Sequence, residues 1–188
     1  ASCLYEGIFN EEKRQLSLRH VIVGDGDLTD GVLQHYHYDQ AGDRFVLSFS
    51  SAASPIQLYT VEEKDRLSIV MHTEERILGI PESSLSQGEQ ASFISFDGRR
   101  VLARLYLPVA SLGFQGPRPL VYYIHGGPQS QERPDFARFS MALIQYLALR
   151  GFAVFVPNVR GSTGYGLDYT KQVDRDWGGQ DRLDHVHA

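Results

Sequence analysis

Leu120-Val121-Tyr122-Tyr123-Ile124-His125-Gly126-Gly127-Pro128 is the stretch on which the reading of this chain turns. A short run of apolar, β-branched and aromatic residues, closed by two glycines and a proline, predicts a buried parallel strand that stops abruptly. The stop carries the chemistry. Paired glycines let the backbone turn where a Cβ would clash, so amide N–H groups past the strand end can face a substrate instead of a ladder partner. A tight turn that merely contains Gly-Gly-Pro is the alternative for these residues taken alone.

After a predicted helix from Phe136 to Arg150, the run Gly151-Phe152-Ala153-Val154-Phe155-Val156-Pro157-Asn158 predicts a second buried strand. Arg160-Gly161-Ser162-Thr163-Gly164-Tyr165-Gly166 follows it, and then Asp176-Trp177-Gly178-Gly179-Gln180-Asp181. In this order and spacing, His125 to Pro128, Asn158 with Arg160 to Gly166, and Trp177 to Asp181 resemble the prolyl oligopeptidase family of serine peptidases, particularly its acylaminoacyl-peptidase-like branch. The resemblance covers roughly the last hundred residues. Upstream, the chain is compatible with the end of the β-propeller that precedes the hydrolase domain in that family.

The resemblance implies an α/β fold class, with the first half of an α/β-hydrolase domain at 81–188 preceded by antiparallel propeller strands at 1–80. It implies an oxyanion-hole N–H at Gly127, paired with the amide that follows the nucleophile. Such a donor acts on charge that develops only in the transition state, and losing one costs ~10²–10³ in rate. Structural roles in the site loops are implied for His125, Gly126, Pro128, Arg160, Gly161, Gly164 and Tyr165. His125 would fix the loop by hydrogen bonds without acid or base duty, and Arg160 would pair with a carboxylate under the site. The implied activity is hydrolysis of short peptides through an acyl-enzyme, with the propeller restricting access. A carboxylesterase of the same fold and a non-catalytic binding module on a hydrolase scaffold are the rival readings.

With 188 residues, the chain has room for one ordinary domain or two incomplete ones. A net charge of −5 with 22% charged residues argues against a nucleic-acid partner, which requires a clustered basic surface. No apolar run approaches the ~20 residues needed to span a bilayer, and the N-terminus lacks a basic region followed by an apolar core. The expectation is a cytoplasmic protein without a membrane partner or cofactor, acting on short peptides and completed by the remainder of the same protein. Homo-oligomerisation is compatible with it. The single cysteine, Cys3, excludes an internal disulfide and a multi-cysteine zinc cluster, and is expected as a small buried apolar side chain.

Taken in order, Leu16 to Val23, Val32 to Tyr38, Arg44 to Phe49, Ile56 to Val61 and Leu67 to Val70 predict short strands, with polar turns such as Glu62 to Asp65 between them. The strand pattern lapses between Thr73 and Gly88. Ala91 to Phe96 and Val101 to Leu107 then predict a hairpin around Asp97-Gly98. In the Phe136 to Arg150 helix, Phe139, Leu143, Tyr146, Leu147 and Leu149 are expected to cover the sheet, and Gly151 to cap it. A second helix is expected from about Gly166 to Asp176 and a third from Gln180, with Asp181 and Asp184 near its positive end.

Other constellations weigh less. Ser162 sits between a strand and a helix, but a nucleophile elbow needs glycine two positions before the serine, and Arg160 stands there. His185 and His187, with Asp181 or Asp184, read as surface helix residues. His35 and His37 share a strand face without a third ligand, and Asp25 to Tyr36 fails the EF-hand pattern at both Asp30 and Tyr36. The nucleophile, Asp and His are thus expected outside residues 1–188, leaving this chain inactive and not independently stable, with an open edge at Leu120 to Ile124. Alanine at Gly127 is expected to lower turnover with the fold preserved, provided the backbone there admits a Cβ.

Overall fold

The computed structural model describes residues 2–63, 67–77, 79–127, 129–136 and 139–188. They divide into two compact units, Ala1–Glu82 with Arg133–Met141, and Ser83–Glu132 with Ala142–Ala188. The turn expected at Glu62 to Asp65 falls partly outside the described residues, as do Pro128 and the expected helix positions 137 and 138.

The first unit is antiparallel. Strand β1 (Leu4–Asn10) pairs with β2 (Gln15–Val23), while β3 (Gly31–Asp39), β4 (Arg44–Ser51), β5 (Gln57–Glu63) and β6 (Leu67–Met71) form a four-stranded sheet in chain order. Side chains alternate along each strand, so Phe45, Leu47 and Phe49 share a face with Tyr59 and Val61 and pack with Ile22, Val23 and Leu28. Val46, Leu58 and Val70 point the other way and stay exposed.

Strand β1 had no counterpart among the expected strands, because register shifts at Leu4/Tyr5 and Glu6/Gly7 break its alternation. Cys3 is exposed rather than buried, since it immediately precedes β1, which pairs only with β2 among the described strands.

The second unit holds β7 (Glu89–Ile94), β8 (Arg100–Tyr106), β9 (Leu120–Tyr122), α1 (Phe139–Leu149), β10 (Ala153–Asn158), α2 (Leu167–Thr170) and α3 (Gln180–His187), the first turn of α1 grouping with the other unit. The sheet order is β7-β8-β10-β9. Its first two pairings are antiparallel, and β9 lies parallel to β10 with Val121 opposite Val154. The sheet therefore changes from antiparallel to parallel where β10 inserts between β8 and β9.

Three expectations need correction here. Strand β9 is not fully buried: Leu120 is 57% exposed, Val121 and Tyr122 are half-buried and Ile124 just beyond it is 56% exposed, because β9 lies at the sheet edge with β10 as its single described neighbour, the edge expected at Leu120 to Ile124. Helix α1 buries Met141, Ile144, Gln145 and Ala148 and exposes Phe139, Leu143 and Tyr146, the stripe expected to be covered. Apolar residues surround this helix, so periodicity alone does not choose its inner face. Gln145 settles there because its amide donates to the Ser86 carbonyl at 2.7 Å and accepts from the Ser86 N–H at 2.8 Å. The second expected helix is broken, α2 giving way to a single 3-10 turn at Lys171–Val173 and then to Arg175 at φ 63°.

Leu47→Ala should cost ~2–5 kcal/mol by removing a buried side chain from the first unit. Leu58→Ala, on the exposed face, should stay within ~0.5 kcal/mol. Urea unfolding of the two variants checks this, and equal losses would contradict the two-faced sheet.

Candidate active site

Tyr123 extends the β9 pairing by one bond, its N–H donating to the Phe155 carbonyl at 2.9 Å, and the chain then leaves the sheet through His125, Gly126 and Gly127. Both glycines are exposed. Gly127 has φ +114°, a conformation side-chain-bearing residues rarely adopt, and an added Cβ would come 3.1 Å from that of Ser130. The condition attached to an alanine at this position is therefore not met. Gly126 has open space around its missing Cβ and no positive φ.

The returning side of the loop is clamped by the chain beyond β10. Asn158, buried at the end of that strand, accepts from the Glu132 N–H at 2.9 Å and donates to the Glu132 carbonyl at 3.1 Å, so its side-chain amide substitutes for a ladder partner. It also donates to the Tyr165 hydroxyl at 2.9 Å. Thr163 N–H donates to the Ser130 carbonyl at 2.8 Å. Gly164 has φ +88°, a conformation side-chain-bearing residues rarely adopt, and a Cβ there would sit 2.7 Å from the Gln131 side-chain amide, which would have to shift. Tyr169 closes the group by donating to the Asn158 carbonyl at 2.8 Å.

The outgoing side meets Ser162. Its hydroxyl lies 3.2 Å from His125 Nε2, and His125 Nδ1 lies 3.2 Å from the Gly126 carbonyl. Ser162 has no exposed surface, and its backbone is fixed by the Val159 carbonyl and by Thr170 Oγ1. An acyl carbon has no approach to a hydroxyl so enclosed.

Below this turn, Arg160 is 1% exposed, and its guanidinium donates to both Asp184 carboxylate oxygens, at 2.9 and 2.7 Å. Its backbone N–H reaches the same carboxylate at 3.0 Å, and Asp97 and Gln180 take further guanidinium donors. The carboxylate beneath the turn is thus Asp184, which the sequence placed on a helix surface and the structure buries completely. Pairing with Asp184 holds the Arg160 guanidinium above its ordinary value. Ser95 donates to Asp184 as well. Nothing in the local pattern of α3 distinguishes Asp184 from Asp181, since the partner comes from another part of the chain. Gly161 packs against Val173, where a Cβ would meet its Cγ1 at 2.7 Å.

His185 is likewise not a surface residue. It is half-buried, and its Nδ1 lies 3.0 Å from the Tyr122 hydroxyl. Burial pushes the His185 imidazole below its ordinary value and, with Asp184 nearby, pushes the Tyr122 phenol up to about 12. Among the described residues, no group of three or more His, Cys, Asp or Glu is placed to hold a metal ion, and His35 and His37 are exposed on β3. No described helix is long and apolar enough to cross a membrane.

Two outcomes follow from these contacts. Asp184→Asn should cost ~3–5 kcal/mol, because it leaves a buried guanidinium without its main counter-charge. A loss below ~1 kcal/mol in urea unfolding would show that Asp97 suffices. His185 disfavours its proton in the folded state, so its contribution is present above the unfolded value of about 6.5 and is lost as pH falls below it. His185→Gln should therefore flatten the decline in stability between about pH 7 and 5, read from denaturation midpoints.

Residues 137–188 match the prolyl oligopeptidase family. That match takes in Asn158, Arg160 to Gly166 and Trp177 to Asp181, and begins after His125 to Pro128. A dipeptidyl aminopeptidase BIII from Pseudoxanthomonas mexicana is 29% identical over 150 residues, 77% of this chain and 21% of that protein. The chain therefore spans about a fifth of the length of that relative. Among solved structures, the acylaminoacyl peptidase of Pyrococcus horikoshii is similar with a TM-score of 0.69 at 22% identity, over 97% of this chain and 27% of that one. A puromycin-hydrolyzing peptidase of Mycobacterium tuberculosis gives 0.70 at 22% identity, over 96% and 26%. These likenesses show the fold: antiparallel sheets followed by a mixed sheet, as in the acylaminoacyl peptidase. The family model that residues 137–188 match is the one that the chain's motifs resemble.

Proposed function

We propose that this chain supplies the oxyanion loop of a cytoplasmic serine peptidase of the acylaminoacyl- or oligopeptidase type, which cleaves short peptides through an acyl-enzyme. The observation that carries the reading is the Gly126–Gly127 peptide, exposed past the end of β9 with Gly127 at φ +114°. A carbonyl oxygen bound there would receive the Gly127 N–H as its charge develops, which lowers the barrier without tightening ground-state binding. The nucleophilic serine, the second oxyanion amide and the Asp and His that activate the serine would come from parts of the complete protein outside residues 1–188. In this reading β3 to β6 form a propeller blade and β1–β2 part of its neighbour, and the propeller admits only small substrates. The family match and the likeness to an acylaminoacyl peptidase support this assignment.

The test is hydrolysis of acyl-amino-acid and peptide anilides against short-chain nitrophenyl esters by the complete protein, with fluorophosphonate labelling. Ester turnover alone would favour a carboxylesterase, and no turnover or labelling would favour a binding module. Gly127→Ala should lower kcat by ~10²-fold or more, since the strained φ displaces the donor, whereas Gly126→Ala should stay near wild type. Unchanged kcat in folded Gly127→Ala protein would remove Gly127 from the site.

A further inference from the structure

We propose that the turn between β2 and β3 carries a site of spontaneous covalent modification, where the Gly26 amide nitrogen closes on the Asp25 side chain and water reopens the ring to isoaspartate. The sequence offers three places for this chemistry, the Asp-Gly pairs 25–26, 30–31 and 97–98, and no Asn-Gly pair. Glycine favours the step at each, because no Cβ shields its nitrogen or hinders the backbone rotation that ring closure requires. The fold then separates the three.

The reaction has two stages and consumes nothing but water. In the first, the Gly26 nitrogen bonds to Cγ of the protonated Asp25 carboxyl, the C–OH bond breaks, and the amide proton leaves with that hydroxyl as water. The product is a five-membered succinimide. Water then adds to one of its two carbonyls and breaks the C–N bond there. Cleavage at the side-chain carbonyl restores aspartate, whereas cleavage at the main-chain carbonyl leaves the nitrogen on Cγ and adds one methylene to the backbone.

This chemistry needs a carboxyl in reach of a free nitrogen, and room for the main chain to turn. Asp25 and Gly26 meet both needs. Both are exposed, the Gly26 N–H lies 2.9 Å from Asp25 Oδ1 and so beside the carbon it attacks, and nothing stands within 4 Å of where a Gly26 Cβ would be. Gly31, by contrast, is buried at the start of β3 opposite Ser51, and its carbonyl is held by the Ser2 N–H. A Cβ there would meet Phe49 and the Ser50 carbonyl at 2.3 Å, so its backbone has no space to rotate. The Gly98 N–H is taken by the Ser95 carbonyl at 3.0 Å. Its partner Asp97 accepts from the Arg99 N–H at 3.2 Å and lies 3.0 Å from the Arg160 guanidinium. Desolvation opposes ionisation of Asp97, but these partners hold its carboxyl below its ordinary value and so deplete the protonated form that cyclises. At the reactive pair, the Gly24 N–H donates to the Leu28 carbonyl at 2.9 Å and closes the base of the turn. The added methylene would enter inside that closure, next to Leu28 in the core of the first unit.

The test ages the complete protein at physiological temperature and neutral pH, unfolds it and digests it with trypsin. Peptides 20–44 and 77–99 then contain all three pairs. Electron-transfer fragmentation distinguishes isoaspartate from aspartate in each, and labelling by an isoaspartyl carboxyl methyltransferase counts it. The same peptides, aged after digestion, give the rates without the fold. In the peptides the three sites should convert at similar rates, whereas in the folded protein isoaspartate at 25 should exceed that at 30 and at 97 by ~10-fold or more. Gly26→Ala should remove most of it; if that variant does not fold, the ranking in the wild type decides. Absence of isoaspartate at 25 in the aged protein, or equal amounts at 25 and either other site, would overturn the proposal. Peptides that already show the ranking of the folded protein would overturn it too, since the selection would then lie in the local sequence. The outcome is independent of any peptidase activity.

Discussion

A guanidinium that has left water must take its counter-charges with it, and Arg160, fully enclosed at the exit of β10, sets that constraint on the second unit. Asp184 comes from α3, Asp97 from the turn between β7 and β8, and Ser95 from the end of the same hairpin. Three segments far apart in sequence are thereby brought to one point. The Arg160 guanidinium also lies 4.7 Å over the ring of Phe96, so its face as well as its edge is used. A buried ion pair of this kind gives little net stability compared with an apolar replacement. It penalises every alternative packing in which one partner is left alone.

Two side-chain amides complete what that pair begins. Asn158 and Gln145 each bond both the N–H and the carbonyl of a single backbone residue, Glu132 and Ser86 respectively. Each supplies a strand-like partner where the chain has left the sheet and the backbone would otherwise be buried without hydrogen bonds. Asn158 matters more to the site, because the residue it holds ends the loop that starts at His125.

What the sequence disclosed follows from the range of the forces involved. The strand pattern of β4, β5 and β6 is a property of neighbouring residues, so these strands were legible without reference to the rest of the molecule. The strand ending in His125-Gly126-Gly127 and the one ending in Asn158 were legible for the same reason. Asp184 was not, because its burial depends on an arginine 24 residues earlier that meets it only in the folded chain. The inner face of α1 was equally hidden, since a helix apolar on all sides offers the sheet more than one stripe and a glutamine pairing decided between them. Strand β9 read as buried because composition records what a strand can cover, whereas its exposure reflects which neighbours lie beside it.

Ser162 shows why motif and geometry must be weighed with access. It follows a strand, precedes a helix and lies within hydrogen-bond reach of a histidine, which are the outward signs of an activated nucleophile. A nucleophile must also present its oxygen to an incoming carbonyl, and Ser162 has no surface to present. The histidine's other nitrogen meets the Gly126 backbone carbonyl, where the triad arrangement has a carboxylate. Enclosure and a neutral second partner suit a hydroxyl with a structural part in the turn.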